Sequence, residues 1–85
     1  MIKEELTAQE NEDKVSTATD IAMAVEKHFM ELDGKELTTN TLIRKTIEVA
    51  KDYGMQHPKD KKYIQMAISS ATRKLREKNF TIVKL

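Results

Sequence analysis

The stretch KKYIQMAISSATRKLREKNFTIVKL, residues Lys61–Leu85, decides how the rest of this chain is read. At about 100° per residue, Ile64, Ile68, Ala71 and Leu75 fall within about 60° of one another, with Ala67 at their flank. That spacing predicts an amphipathic helix with this arc in the core. Lys62, Met66, Ser69, Arg73 and Arg76 cluster within about 80° on the opposite side. Pro58 fits the first turn of this helix, where its missing N–H costs nothing, and Asp60 beside it complements the helix dipole. Basic side chains run to Lys78, as the C-terminal end of a helix favours. Asn79 then predicts a cap. The segment Phe80–Leu85 has the β-branched and aromatic content of a strand.

Working backwards, Gly54 punctuates a second helix, Asn40–Tyr53, capped by Thr39 or Asn40. Leu42, Ile43, Ile47, Val49, Ala50 and Tyr53 give it an apolar stripe wide enough for two neighbours. Lys35–Thr38 reads as short and extended, and Gly34 as the stop of a first helix. That helix is expected from Thr17 to Leu32. Thr17-Ala18-Thr19-Asp20 has the form of a capping box, and Ile21, Val25, Phe29 and Leu32 follow at helical spacing. A strand needs partners for its backbone groups, and Lys35–Thr38 is the expected partner of Thr81–Lys84. An edge left open would promote a homodimer through Phe80–Leu85. Residues 1–15 show no clean period and read as a flexible acidic arm. The fold expected is mainly α: three helices with a minor β element over residues 16–85, winged-helix-like without a full wing.

Composition narrows the function classes. With 85 residues, 39% apolar and 34% charged, the chain fits one small globular domain. It has no cysteine, so neither a disulfide nor a thiolate metal site can hold it together. No apolar run approaches the roughly 20 residues that span a bilayer, and the start of the chain lacks a signal-peptide pattern. A cytoplasmic protein without membrane contact is expected. His28 and His57 are isolated, only two glycines occur, and no nucleophile elbow or phosphate loop is present. No cofactor, no metal and no catalytic site are therefore expected.

The charge is uneven. Met1–Asn40 holds four lysines against ten acids, whereas Thr41–Leu85 holds eleven basic residues against four acids. A partner of negative charge for the second half is one reading; mutual neutralisation within the fold is the other. On the long helix, Arg can bridge a guanine, Ser and Lys can reach phosphate or base edges, and Met can touch a thymine methyl. Lys59, Lys61 and Lys62 sit at its N-terminus, where phosphate is favoured. Arg44 and Lys45 on the second helix could add backbone contacts. DNA, a protein partner docking on the same face, and a solvated face without a task all fit this pattern. The acids at 4, 5, 10, 12 and 13 suggest an arm that folds back over the basic face and weakens its hold on anions.

The element order Thr17–Leu32, Lys35–Thr38, Asn40–Tyr53, Pro58–Lys78, Phe80–Leu85 resembles helix-turn-helix and winged-helix DNA-binding domains. In those, a helix, a short strand, a second helix and a recognition helix precede a β-hairpin wing. The resemblance spans most of residues 17–85 and rests on order, not on a motif. It implies a transcription regulator with Lys62, Met66, Ser69, Arg73 and Arg76 on the recognition surface. In composition, the short, Lys/Glu-rich, cysteine-free chain also resembles small phage-type host-takeover proteins, adaptors or inhibitors that dock on a host enzyme.

Overall fold

Before Gly34 the chain contains neither glycine nor proline, and Glu and Ala are its commonest residues. Such a stretch has nothing to stop a helix. In the computed structural model, which describes the backbone of residues 2–84 and the side chains of residues 13–84, helix α1 runs Ile2–Met30. The acidic arm expected over residues 1–15 falls largely on side chains outside the described residues. The expected start at Thr17 is corrected. Thr17 and Thr19 do not cap; their hydroxyls donate to the carbonyls of Asp13 (2.8 Å) and Val15 (3.2 Å) inside the helix. At about 1.5 Å per residue, α1 is about 44 Å long, close to the 50 Å length of the whole molecule.

Helix α1 buries Ala18, Ile21, Ala22, Val25 and Phe29. Leu32, expected on this stripe, lies past the end of the helix and is 51% exposed. Gly34 follows at φ +90° and turns the chain into β1, Glu36–Thr38. Helix α2 spans Thr39–Asp52, and its cap is Thr38, one or two residues before the expected one. The Thr38 hydroxyl accepts the Thr41 N–H at 3.1 Å. Its buried side is Leu42, Thr46, Val49 and Ala50, with Ile43 and Ile47 half-buried. Tyr53, expected on the stripe, is exposed. Thr46 is tolerated in the core because its hydroxyl donates to the Leu42 carbonyl at 2.7 Å.

Helix α2 and the helix after it, α3 (Lys61–Glu77), end by the same device. After α2, Gly54 (φ +86°) donates to the Lys51 carbonyl and Met55 to the Ala50 carbonyl. After α3, Lys61–Glu77, Asn79 (φ +71°) donates to Arg76 and Phe80 to Leu75. Each is a left-handed stop with an apolar residue just beyond it, Met55 or Phe80, turned into the core. Met55, between the two helices in sequence, is thus a core residue. Helix α3 starts at Lys61 and not at Pro58, which lies in the turn ahead of it. In that turn the Asp60 N–H donates to the Gln56 carbonyl at 2.7 Å.

Strand β2, Thr81–Val83, pairs with β1 as expected, and the pairing is parallel: Glu36↔Thr81, Leu37↔Ile82, Thr38↔Val83. Parallel strands need a crossover, and the α2–α3 pair supplies it. The Thr81 N–H donates to the Lys35 carbonyl at 2.7 Å, and the Thr39 hydroxyl to the Val83 carbonyl at 3.3 Å. The strand thus finds its partner inside the chain.

The three helices share one core, in which α1 meets α3 most extensively. Lys14 lies against Asp60 at one end, and Met30 borders a groove with Lys78–Phe80 at the other. Helices α1 and α3 are therefore parallel neighbours. Four alanines, Ala18 and Ala22 on α1 and Ala67 and Ala71 on α3, are buried in this core. Small side chains let helix backbones approach, so added volume there has nowhere to go. Ala71→Leu is expected to cost about 1–3 kcal/mol in urea unfolding. Ser69→Leu, on the outer side of the same helix, should stay within about 0.5 kcal/mol.

Candidate interaction face of α3

The residues expected on the outer face of α3 are where the sequence put them. Lys61, Lys62, Met66, Ser69, Arg73 and Arg76 are all exposed, as is Lys59 in the preceding turn. The opposite side, Ile64, Ala67, Ala71 and Leu75, is buried, with Ile68 half-buried at its border. One helix thus presents a cationic face whose direction is fixed by the packing behind it. Among the described residues, none of Lys59, Lys61, Lys62, Arg73 and Arg76 is in an ion pair. Arg44 and Lys45 lie on α2 and line neither groove bordering this face. Lys45 is half-buried and sits 3.4 Å from Glu48 on its own helix.

Two grooves flank the face. The first, about 500 Å³, lies between α1 and α3 and is lined by Val15, Ala18 and Thr19 on one side and Met66, Ser69 and Arg73 on the other. The second lies along α3 itself, where Ile68 and Thr72 meet Arg73 and Arg76. The first groove is not visible in the sequence, where the helix expected from Thr17 leaves Val15 outside it and Thr19 in its first turn.

The base of the face is held by a contact between residues 46 positions apart. Asp60 is 6% exposed, and its carboxylate accepts from Lys14 Nζ at 2.8 Å and from the Gln56 N–H at 3.0 Å. It therefore leaves the first turn of α3 without a side-chain cap. The Lys14 ammonium also lies 5.6 Å from the centre of the Tyr63 ring, and that of Lys62 lies 5.9 Å from it. Both distances suit cation–π attraction. The clamp fixes the α2–α3 turn against α1 and so sets where α3 begins.

Hydrogen bonding from Lys14, then the Gln56 N–H, holds the Asp60 carboxyl below the usual carboxylate range, against the opposing effect of burial. A group whose folded pKa is lowered stabilises the fold above its unfolded value and loses that contribution as pH falls through the folded one. Asp60→Asn is thus expected to cost about 1–3 kcal/mol at neutral pH. In urea unfolding the gap from the unsubstituted protein should narrow as pH falls below the ordinary aspartate value of about 4, where the unfolded carboxyl takes up its proton before the native one does.

Among the described residues, no three His, Cys, Asp or Glu side chains are gathered as a metal site would need. No helix is long and apolar enough to cross a membrane, within the same residues. Comparisons with protein-family models, with characterised proteins and with solved structures find no match to this chain.

Proposed function

We propose that the protein is a non-enzymatic, nucleic-acid-binding regulator that contacts duplex DNA through the outer face of α3. The observation that carries this reading is the set Lys59, Lys61, Lys62, Arg73 and Arg76. All five are exposed and outside ion pairs among the described residues; Lys62, Arg73 and Arg76 lie along one side of a helix packed on its other side, with Lys59 and Lys61 at its base.

Dimensions divide the work along the helix. From Lys62 to Arg76 is about 21 Å at 1.5 Å per residue. The major groove is about 12 Å wide. A helix crossing it therefore reads bases over its central turns and meets phosphates at its ends. Met66, Ser69 and Arg73 are the reading residues in this arrangement. Lys59, Lys61, Lys62 and Arg76 are the phosphate contacts, with the first three favoured by the helix N-terminus.

A second reading has its own support. The groove of Val15, Ala18 and Met66 puts apolar surface beside the cations, which suits a protein partner better than a phosphate backbone. In that case the chain is a small adaptor or inhibitor docking on another protein, of the host-takeover type that its composition resembles.

Salt separates the two. Neutralising four or five phosphates gives a log–log salt slope of about −4 for duplex DNA. Fluorescence anisotropy of a labelled duplex should show micromolar binding at low salt, falling with that slope. Arg73→Ala should weaken it by about tenfold, the effect of one charge-assisted contact. No binding at low salt would transfer the assignment to the protein-docking reading.

A further inference from the structure

The seam between α1 and α3 has two sides. On one, α2 packs against both helices and buries Leu42, Thr46, Val49 and Ala50. On the other lies the groove in which Val15, Ala18 and Thr19 face Met66, Ser69 and Arg73. The molecule itself thus shows what covers such a seam, which is an amphipathic helix. The open side carries apolar surface for another. Val15, Met23 and Met30 fall within about 80° of one another on α1. They are 41%, 53% and 50% exposed, and Met66 across the groove is 39% exposed. Met30 also borders the hollow at the far end of the same two helices.

The chemistry of the walls narrows the occupant. Both walls are helices whose backbone groups are bonded within themselves. An extended segment laid between them would leave its own N–H and C=O groups without partners. A helix arrives with these groups already satisfied. Among the described residues, Arg73 is the one charged side chain lining the groove, and Lys62 stands one turn before Met66 on the same helix. Both are exposed and outside ion pairs within the described residues. Cations beside an apolar floor select carboxylates set beside an apolar stripe.

We infer that the groove takes an acidic amphipathic helix of a partner protein. Its apolar stripe lies on Val15, Ala18 and Met66, and its carboxylates meet Arg73 and Lys62. The bound helix repeats on the open side of the seam the packing that α2 makes on the closed side. This helix-in-groove mode gives the protein-docking reading its class of partner. It does not rest on the nucleic-acid reading, since the groove is tested without DNA. Where that reading holds as well, Met66 and Arg73 are shared, so the helix and a duplex exclude each other.

The probe is a synthetic peptide of about 16 residues, long enough for partial helicity in water. It carries Leu at helical spacing with Glu and Ala between, and two control peptides carry Lys for Glu or Ser for Leu. Fluorescence anisotropy against the full chain is read at about 50 mM salt, where screening is weak. The acidic peptide should bind with a dissociation constant of about 100 μM or tighter, and both controls at least about tenfold more weakly. Val15→Glu and Arg73→Glu, one on each wall, should each weaken the acidic peptide at least about tenfold. Arg44→Glu, on α2, should leave it unchanged. All three positions are exposed, and circular dichroism should show the same helix content in each variant. No binding of the acidic peptide, equal binding of either control, or an equal loss in Arg44→Glu would overturn the inference. A duplex that binds where the acidic peptide does not would also overturn it, and would leave the nucleic-acid reading standing. Sedimentation equilibrium giving twice the 9.8 kDa chain mass, with the dimer lost in Val15→Glu, would assign the groove to a second copy instead.

Discussion

Close packing of α1 against α3 is the constraint on which the rest of the structure depends. Alanines on both helices bring the two backbones together, and Ile21, Val25, Ile64 and Leu75 fill the space around them. Once α3 is seated on α1 by Ala67 and Ala71, its other side must face outward. Every cation proposed to act lies on that side or at its base. The basic face is thus a consequence of core packing, and its rigidity is that of the core. Pre-ordering of this kind spares a binding site the entropy of arranging long side chains on a mobile backbone.

Polar contacts refine this arrangement. Lys14 and Asp60 tie the turn before α3 to one level of α1, in addition to the packed core. At the far end, the left-handed Asn79 delivers Phe80 to the core and β2 to β1. Two strands of three residues contribute few hydrogen bonds. Their role is to close the α2–α3 crossover and to hold the end of α3 in place.

The two faces of α3 were legible in the sequence because a helix repeats every 3.6 residues and the apolar positions keep that period over three turns. The pairing of Lys35–Thr38 with the final strand was legible as the expected one because a strand's backbone groups need a partner and this segment is extended, though its parallel sense was not. What was missed has physical reasons. Thr17 looked like a cap because Ser and Thr prefer that position, yet their hydroxyls can also bond back to a carbonyl within a helix, as Thr17 and Thr19 do. Thr46 sits between Leu42 and Ala50 at four-residue steps, so its burial could have been read from the stripe. The Lys14–Asp60 contact could not, since nothing local links residues so far apart. With the start of α1 misplaced, the groove at Val15 and Thr19 was invisible as well.

Direct location of the interaction face is the strongest test of this account. Amide chemical shifts of the ¹⁵N-labelled protein, followed during titration with a short DNA duplex at low salt, report contacts residue by residue. The largest changes should fall between Lys59 and Arg76, concentrated at Lys62, Met66, Ser69 and Arg73, with buried Ala67 and Ala71 moving less. Changes confined to β1, β2 or α2, or none at all, would contradict the claim that the outer face of α3 is the working surface for nucleic acid.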